Sequence, residues 1–117
     1  MVFIDTHAHL FLEEFDNDRN EIIGKSIKSG VQKIVVPNVD VATLHPMLET
    51  CSIAPQNLFP AIGLHPCSVK ANFMDELSVL REAIISGKIK AIGEVGIDLY
   101  WDKTYYPEQV VALEGQI

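Results

Sequence analysis

The sequence predicts an α/β fold built on a parallel sheet, and three observations predict it. Short runs of β-branched and apolar residues alternate with stretches of helical spacing. The short runs are mostly apolar throughout, as buried strands of a helix-covered parallel sheet are. One βα unit follows another about every 30 residues, the length of a βαβ repeat. The resulting order, β-α-β-α-β-α-β-α, implies right-handed crossovers and a parallel sheet with flanking helices.

Each element has its own signal. Val2, Phe3 and Ile4 run into Asp5, Thr6 and His7 as a first strand. A helix over 18–29 places Ile22, Ile23 and Ile27 on one side, and Gly30 stops it. Val31 to Pro37 is the second strand. The helix over 41–54 has a weaker pattern, and Pro46 enters it near the first turn. Leu58 to His65 is the third strand. A helix over 75–86 carries Leu77, Leu80, Ile84 and Ile85 in one stripe, and Gly87 ends it. Ile89 to Gly96 is the fourth strand. Pro107 opens a last amphipathic helix over 108–117, with Val110, Val111 and Leu113 as its apolar set.

Composition bounds the function. With 117 residues and 48 % apolar content, the chain makes one domain with a core, residues 1–117. A complete (β/α)8 barrel needs about 250 residues. Nine Lys+Arg stand against 16 Asp+Glu, a net charge of −7. That excludes a broad basic surface for long nucleic acid, although a bound metal ion would still grip a phosphate. Met1 is followed at once by Val-Phe-Ile-Asp, without the features of a signal peptide, and no apolar run reaches membrane-spanning length. The expected location is cytoplasmic, without a membrane partner. Cys51 and Cys67 have no metal or redox spacing and are expected to be reduced thiols.

The strongest chemical signal is Asp5-Thr6-His7-Ala8-His9. Alternation along a strand puts Asp5, His7 and His9 on one face, where two imidazoles reach one ion and the acid orients a ring or approaches the ion. A bare His-x-His reads as incidental; the added acid at the end of a first strand favours a divalent metal. The second signal is Gly93-Glu94-Val95-Gly96-Ile97-Asp98. Glycines beside Glu94 let its carboxylate approach a ligand closely, and its two oxygens suit it to bridging two cations. Alone, Glu94 reads equally as a solvated acid. The third is Gly63-Leu64-His65-Pro66, with His65 at a rigid strand end; alone it reads equally as a histidine holding the loop. His45 reads as structural, and Asn38, after strand two, is a weak candidate. The coincidence of polar residues at three of four strand ends decides for a site, because parallel α/β folds bind ligands there. Its chemistry would be metal-assisted hydrolysis, in which metals acidify water and polarise the scissile group.

Together these motifs resemble the TatD family of metal-dependent deoxyribonucleases, among the amidohydrolase-like TIM barrels. The resemblance rests on 5–10, 63–66 and 93–98, and the Asp102-Lys103-Thr104 run with Gln109 resembles the family's lead-in to its next helix. It implies the first four βα units of a (β/α)8 TIM barrel. It implies that His7, His9 and Glu94 ligate a metal and that Glu94 bridges to a second one. It places His65 at the substrate phosphate and Asp98 beside the substrate, with Glu94 and His65 as catalytic residues. The cofactors would be two divalent ions (zinc, manganese, magnesium or nickel), and the substrate DNA ends or short single strands. The family's later histidines and aspartate have no counterpart here, so the chain reads as the N-terminal half of such a barrel. Such a half exposes two sheet edges and an apolar face, which a C-terminal half or a second copy would cover. Two other readings stand beside it. One is another amidohydrolase-like enzyme, cleaving amides, esters or phosphomonoesters. The other is a non-catalytic half-barrel assembly module, weakly active or inactive by itself.

Overall fold

The structure, a computed structural model, describes residues 1–87, 89 and 91–117. Four parallel strands form one sheet: β1 (Phe3–Asp5), β2 (Val31–Pro37), β3 (Leu58–Ile62) and β4 (Ala91–Ile92). They lie side by side in chain order, β1-β2-β3-β4. Right-handed crossovers in that order put every helix on the same face of the sheet. The helices are α1 (Arg19–Lys28), α2 (Val41–Ile53), α3 (Phe73–Ser86) and α4 (Tyr106–Gln116). This is the arrangement of the first four βα units of a (β/α)8 barrel.

The core lies between the sheet and the helices. Ile34 and Val36 of β2, Leu58 and Ile62 of β3, Met47 of α2 and Leu80 of α3 are buried there. Among the described residues, the opposite face has no helix. There Lys33 stands over the Phe59 ring at 5.7 Å, and Ile4, beside Lys33 in register, is 60 % exposed. Val35 and Phe59 lie on this face too, so the strands are mostly apolar on both sides, with Lys33 a charged residue among them.

Element bounds differ from the sequence reading for local reasons. β1 ends at Asp5, because the Asp5 carboxylate turns back to accept the His7 amide at 2.9 Å. β3 ends at Ile62, where the buried Asn38 side chain takes the Gly63 amide at 2.8 Å. The described part of β4 is Ala91–Ile92, continued by one bond from the Gly93 amide to the Ile62 carbonyl at 3.0 Å. Lys90, in the expected fourth strand, lies outside the described residues. α3 starts two residues before the expected Asp75, and α4 starts at Tyr106 with Pro107 in its first turn. Pro46 sits in the second turn of α2 rather than the first. A capping box of Asp40 and Thr43 holds that helix start, the Asp40 carboxylate accepting the Thr43 amide at 2.9 Å. Gly30 takes φ +104° after α1, where a Cβ would meet the Met1 carbonyl at 2.7 Å.

Candidate metal centre

Strand ends bring the candidate residues together. The β1–α1 loop carries His7 and His9. Its Ala8 amide donates to the Val35 carbonyl at 3.1 Å, which ties it to β2. Below the histidines, the Arg19 guanidinium donates to the carbonyls of Leu10 at 2.7 Å, Phe11 at 3.0 Å and Leu12 at 3.0 Å. β3 delivers His65 and β4 delivers Glu94.

Three donor atoms converge. His7 Nε2 lies 3.0 Å from His9 Nε2 and 3.1 Å from Glu94 Oε2, and His9 Nε2 lies 3.4 Å from the same oxygen. Ligands at about 2.0–2.2 Å from a divalent ion are separated by about 3 Å from one another, so the set fits one ion. Among the described residues, His7, His9 and Glu94 are the group able to hold a metal.

The histidines are held in different proton states. His9 Nδ1 lies 3.0 Å from the Pro37 carbonyl. A carbonyl only accepts, so Nδ1 carries the proton and Nε2 presents a lone pair to the centre. The Phe11 ring packs edge-on against the His9 ring, with centroids 5.6 Å apart. His65 is the reverse. Its Nδ1 accepts the Cys67 amide at 3.0 Å, so neutral His65 carries its proton on Nε2. That Nε2 faces the second oxygen of Glu94, Oε1, at 3.2 Å. His9 is thus arranged to ligate and His65 to donate.

Glu94 has its place because residue 63 is glycine. A Cβ on Gly63 would lie 2.7 Å from Val95 Cγ1 and 2.9 Å from the Glu94 carbonyl oxygen. Only a bare backbone lets the Glu94 segment cross the end of β3 this closely.

Asp98 stands apart from the three-donor cluster. Its carboxylate accepts the Tyr100 amide at 2.8 Å and faces the Trp101 amide and the Cys67 thiol. The Tyr100 amide first, then these further donors, hold Asp98 below the usual carboxylate range. Desolvation, and then Asp98, push the Cys67 thiol up. Gln109 brackets the Asp98 backbone, accepting its amide at 2.8 Å and donating to its carbonyl at 3.0 Å.

Three sequence readings need correction. The Asp5 carboxylate bonds the His7 amide, so it orients no imidazole. Asn38, the weak candidate, is fully buried; its Oδ1 takes the Gly63 amide and its Nδ2 donates to the Asp40 carbonyl, both at 2.8 Å. It clamps β2 to β3, with both ends of its buried amide bonded to backbone. And β1 does not reach the histidines, so strand alternation is not what joins them. His45 stands on α2 with an 80 % exposed side chain against Glu49. Sequence reasoning missed the Pro37 carbonyl and the Cys67 amide, which set the two proton states. The only signal for them was their position at the ends of neighbouring strands.

The chain matches the family described as TatD related DNase over residues 4–117. It belongs to that family. It is 33 % identical over 116 residues to the uncharacterised metal-dependent hydrolase YabD of Bacillus subtilis, covering 99 % of this chain and 45 % of that protein. It is 21 % identical over 113 residues to a Pantoea protein named 3'-5' ssDNA/RNA exonuclease TatD, covering 97 % of this chain and 44 % of that one. The crystal structure of the TatD homologue YjjV of Escherichia coli K12 superposes with a TM-score of 0.85 at 31 % identity, over 97 % of this chain and 44 % of that one. The TatD-family chain therefore spans a little under half the length of these relatives. Among its described residues, no helix is long and apolar enough to cross a membrane.

Proposed function

We propose that this chain is the metal-binding part of a TatD-type hydrolase that cleaves phosphodiester bonds of single-stranded nucleic acid. The observation that carries the reading is the convergence of His7 Nε2, His9 Nε2 and Glu94 Oε2 within 3.0 to 3.4 Å, at the carboxyl ends of parallel strands. Those three residues would hold a divalent ion. Glu94 Oε1, on the other side of the carboxylate, would face a second ion in the complete enzyme. Bound there, divalent ions supply a water of lowered pKa and charge to polarise a phosphate. With Oε1 given over to the second ion, the His65 Nε2–H that faces it at 3.2 Å would be free to donate to a phosphate oxygen. Asp98 borders the substrate through the loop whose amides it holds. The helix-free sheet face and the outer edges of β1 and β4 are covered by further chain or by a second copy.

The Pantoea relative's name supports the choice of nucleic acid. The acidic balance agrees with an enzyme that handles short strands and ends rather than long duplex. The test is hydrolysis of a short single-stranded oligonucleotide with zinc, manganese, magnesium or nickel. It is made on this chain alone and together with the part of the Bacillus relative that it does not span. We expect metal-dependent release of nucleotides from the combined chains and little from this chain alone. Cleavage of amides, esters or phosphomonoesters without phosphodiester cleavage would replace the nuclease reading. No metal-dependent hydrolysis by either preparation would leave a non-catalytic module.

A further inference from the structure

The loop between β4 and α4 carries two aromatic side chains that the described residues leave bare. Tyr100 is 83 % exposed and Trp101 79 % exposed, and their rings meet edge to face with centroids 4.7 Å apart. Large aromatic residues this bare on a surface loop mark a contact surface. The loop itself is firmly built. Asp98 takes the Tyr100 amide, Gln109 brackets the Asp98 backbone, and Asp102 takes the Thr104 amide at 2.8 Å. The rings are therefore presented in place.

The platform and the metal centre share neighbouring residues: His65 accepts the Cys67 amide at 3.0 Å, and the Asp98 carboxylate accepts the Tyr100 amide at 2.8 Å. Trp101 also rims a hollow of about 100 Å³ lined by Cys67, Lys70, Asp98, Asp102 and Tyr105. Lys70 Nζ stands there, 5.4 Å from the centre of the Tyr105 ring. The two acids of the hollow are already accepting backbone amides. A cation and an exposed indole on a hollow also lined by Cys67, whose amide His65 accepts, suit one nucleotide next to the scissile one.

We propose that Trp101, with Tyr100 supporting it, is a base-stacking platform for single-stranded nucleic acid. The inference rests on the phosphodiesterase reading and names the subsite that grips the strand. A chain of net charge −7 draws little affinity from a basic surface, so stacking has to supply it. Every base has a π face, so the site is tolerant of sequence. Paired bases in a duplex are stacked on each other, so the site selects unpaired strands.

Trp101 is the only tryptophan of the chain, so its emission reports the site directly. The 117-residue chain, loaded with zinc, is titrated with a fluorescently labelled short oligothymidylate and with an abasic strand of equal length and charge. Anisotropy gives affinity and tryptophan emission gives stacking. We expect oligothymidylate to quench Trp101, and the abasic strand to bind about 5- to 100-fold more weakly without quenching. Trp101→Ala should weaken oligothymidylate to the abasic level, and Trp101→Phe should recover most of the loss; circular dichroism checks that both variants fold. Equal affinity for the two strands, binding without quenching, or no binding of either strand would overturn the proposal. So would an emission change that follows protein concentration alone, which would assign Trp101 to contact with a second copy. Hydrolysis measured in parallel, on this chain combined with the part of the Bacillus relative that it does not span, separates the two readings. Cleavage with no quenching removes the platform and keeps the hydrolase, whereas quenching with no cleavage keeps the platform and removes the hydrolase.

Discussion

His65 Nε2 meets Glu94 at Oε1, 3.2 Å away, on the opposite oxygen from the one that faces His7 and His9. One carboxylate is thus shared between a ligand pair and a donor. The two sides of Glu94 should separate under mutation. Glu94→Gln removes the charge and a ligating oxygen, and should weaken binding of a divalent ion by more than about 100-fold. His65→Ala removes a partner of Glu94 while leaving its Oε2, and should cost about 10-fold. Titration calorimetry with zinc checks the order; equal losses would show that His65 is itself a ligand.

Gly63 is the second test. Its Cβ would lie under 3 Å from both the Val95 side chain and the Glu94 carbonyl oxygen. Gly63→Ala should cost about 1–3 kcal/mol in urea unfolding and displace Glu94 from the histidines. Zinc affinity should fall with it. A variant with unchanged zinc affinity would show that the Glu94 segment has freedom to move.

Asn38 makes a prediction about stability alone. Its side chain joins the Gly63 amide to the Asp40 carbonyl in a fully buried position. Asn38→Ala leaves the Gly63 amide unpaired and removes one of the two side-chain donors to the Asp40 carbonyl, and should cost about 1–3 kcal/mol. Asn38→Asp keeps the acceptor for Gly63 but has no donor for Asp40, so it should be no more stable than Asn38→Ala at neutral pH. Urea midpoints decide this, and an Asn38→Asp variant of near wild-type stability would refute the clamp.

The buried thiol sets a pH dependence. Burial pushes the Cys51 thiol from 9.0 up to about 11. The folded state therefore favours the neutral thiol. Its contribution is fully present below pH 9.0 and is lost as pH rises to about 11, by about 2–3 kcal/mol in total. Urea unfolding followed from pH 8 to pH 11, about the range of that titration, should show a steeper loss for the wild type than for Cys51→Ala. Parallel curves for the two would remove the burial argument.

Much of this was legible in the sequence, for a physical reason. Parallel βα units place their functional groups at strand ends, so His7, His9, His65 and Glu94 could be picked out as strand-terminal polar residues beside small or rigid ones. What was not legible depends on pairing between distant segments. The Pro37 carbonyl that sets the His9 proton lies 28 residues away. Asn38 looked like a weak ligand because its position was right, and only the β2–β3 register shows that both its polar ends are used. Asp5 looked like part of the metal cluster, but a short-range bond to the His7 amide won over strand alternation. Tyr100 and Trp101 drew no notice in the sequence, because exposure is a property of the fold and not of the residue.

His7, His9 and Glu94 together are expected to hold one divalent ion. X-ray absorption of the zinc-loaded chain, with calorimetry on the same sample, reads that shell. We expect at least one tightly held zinc per chain, with two imidazole nitrogens and a carboxylate oxygen at about 2.0–2.2 Å. His7→Ala, His9→Ala and Glu94→Gln should each abolish the tight binding. A zinc shell without imidazole, or an affinity that survives all three substitutions, would contradict this expectation.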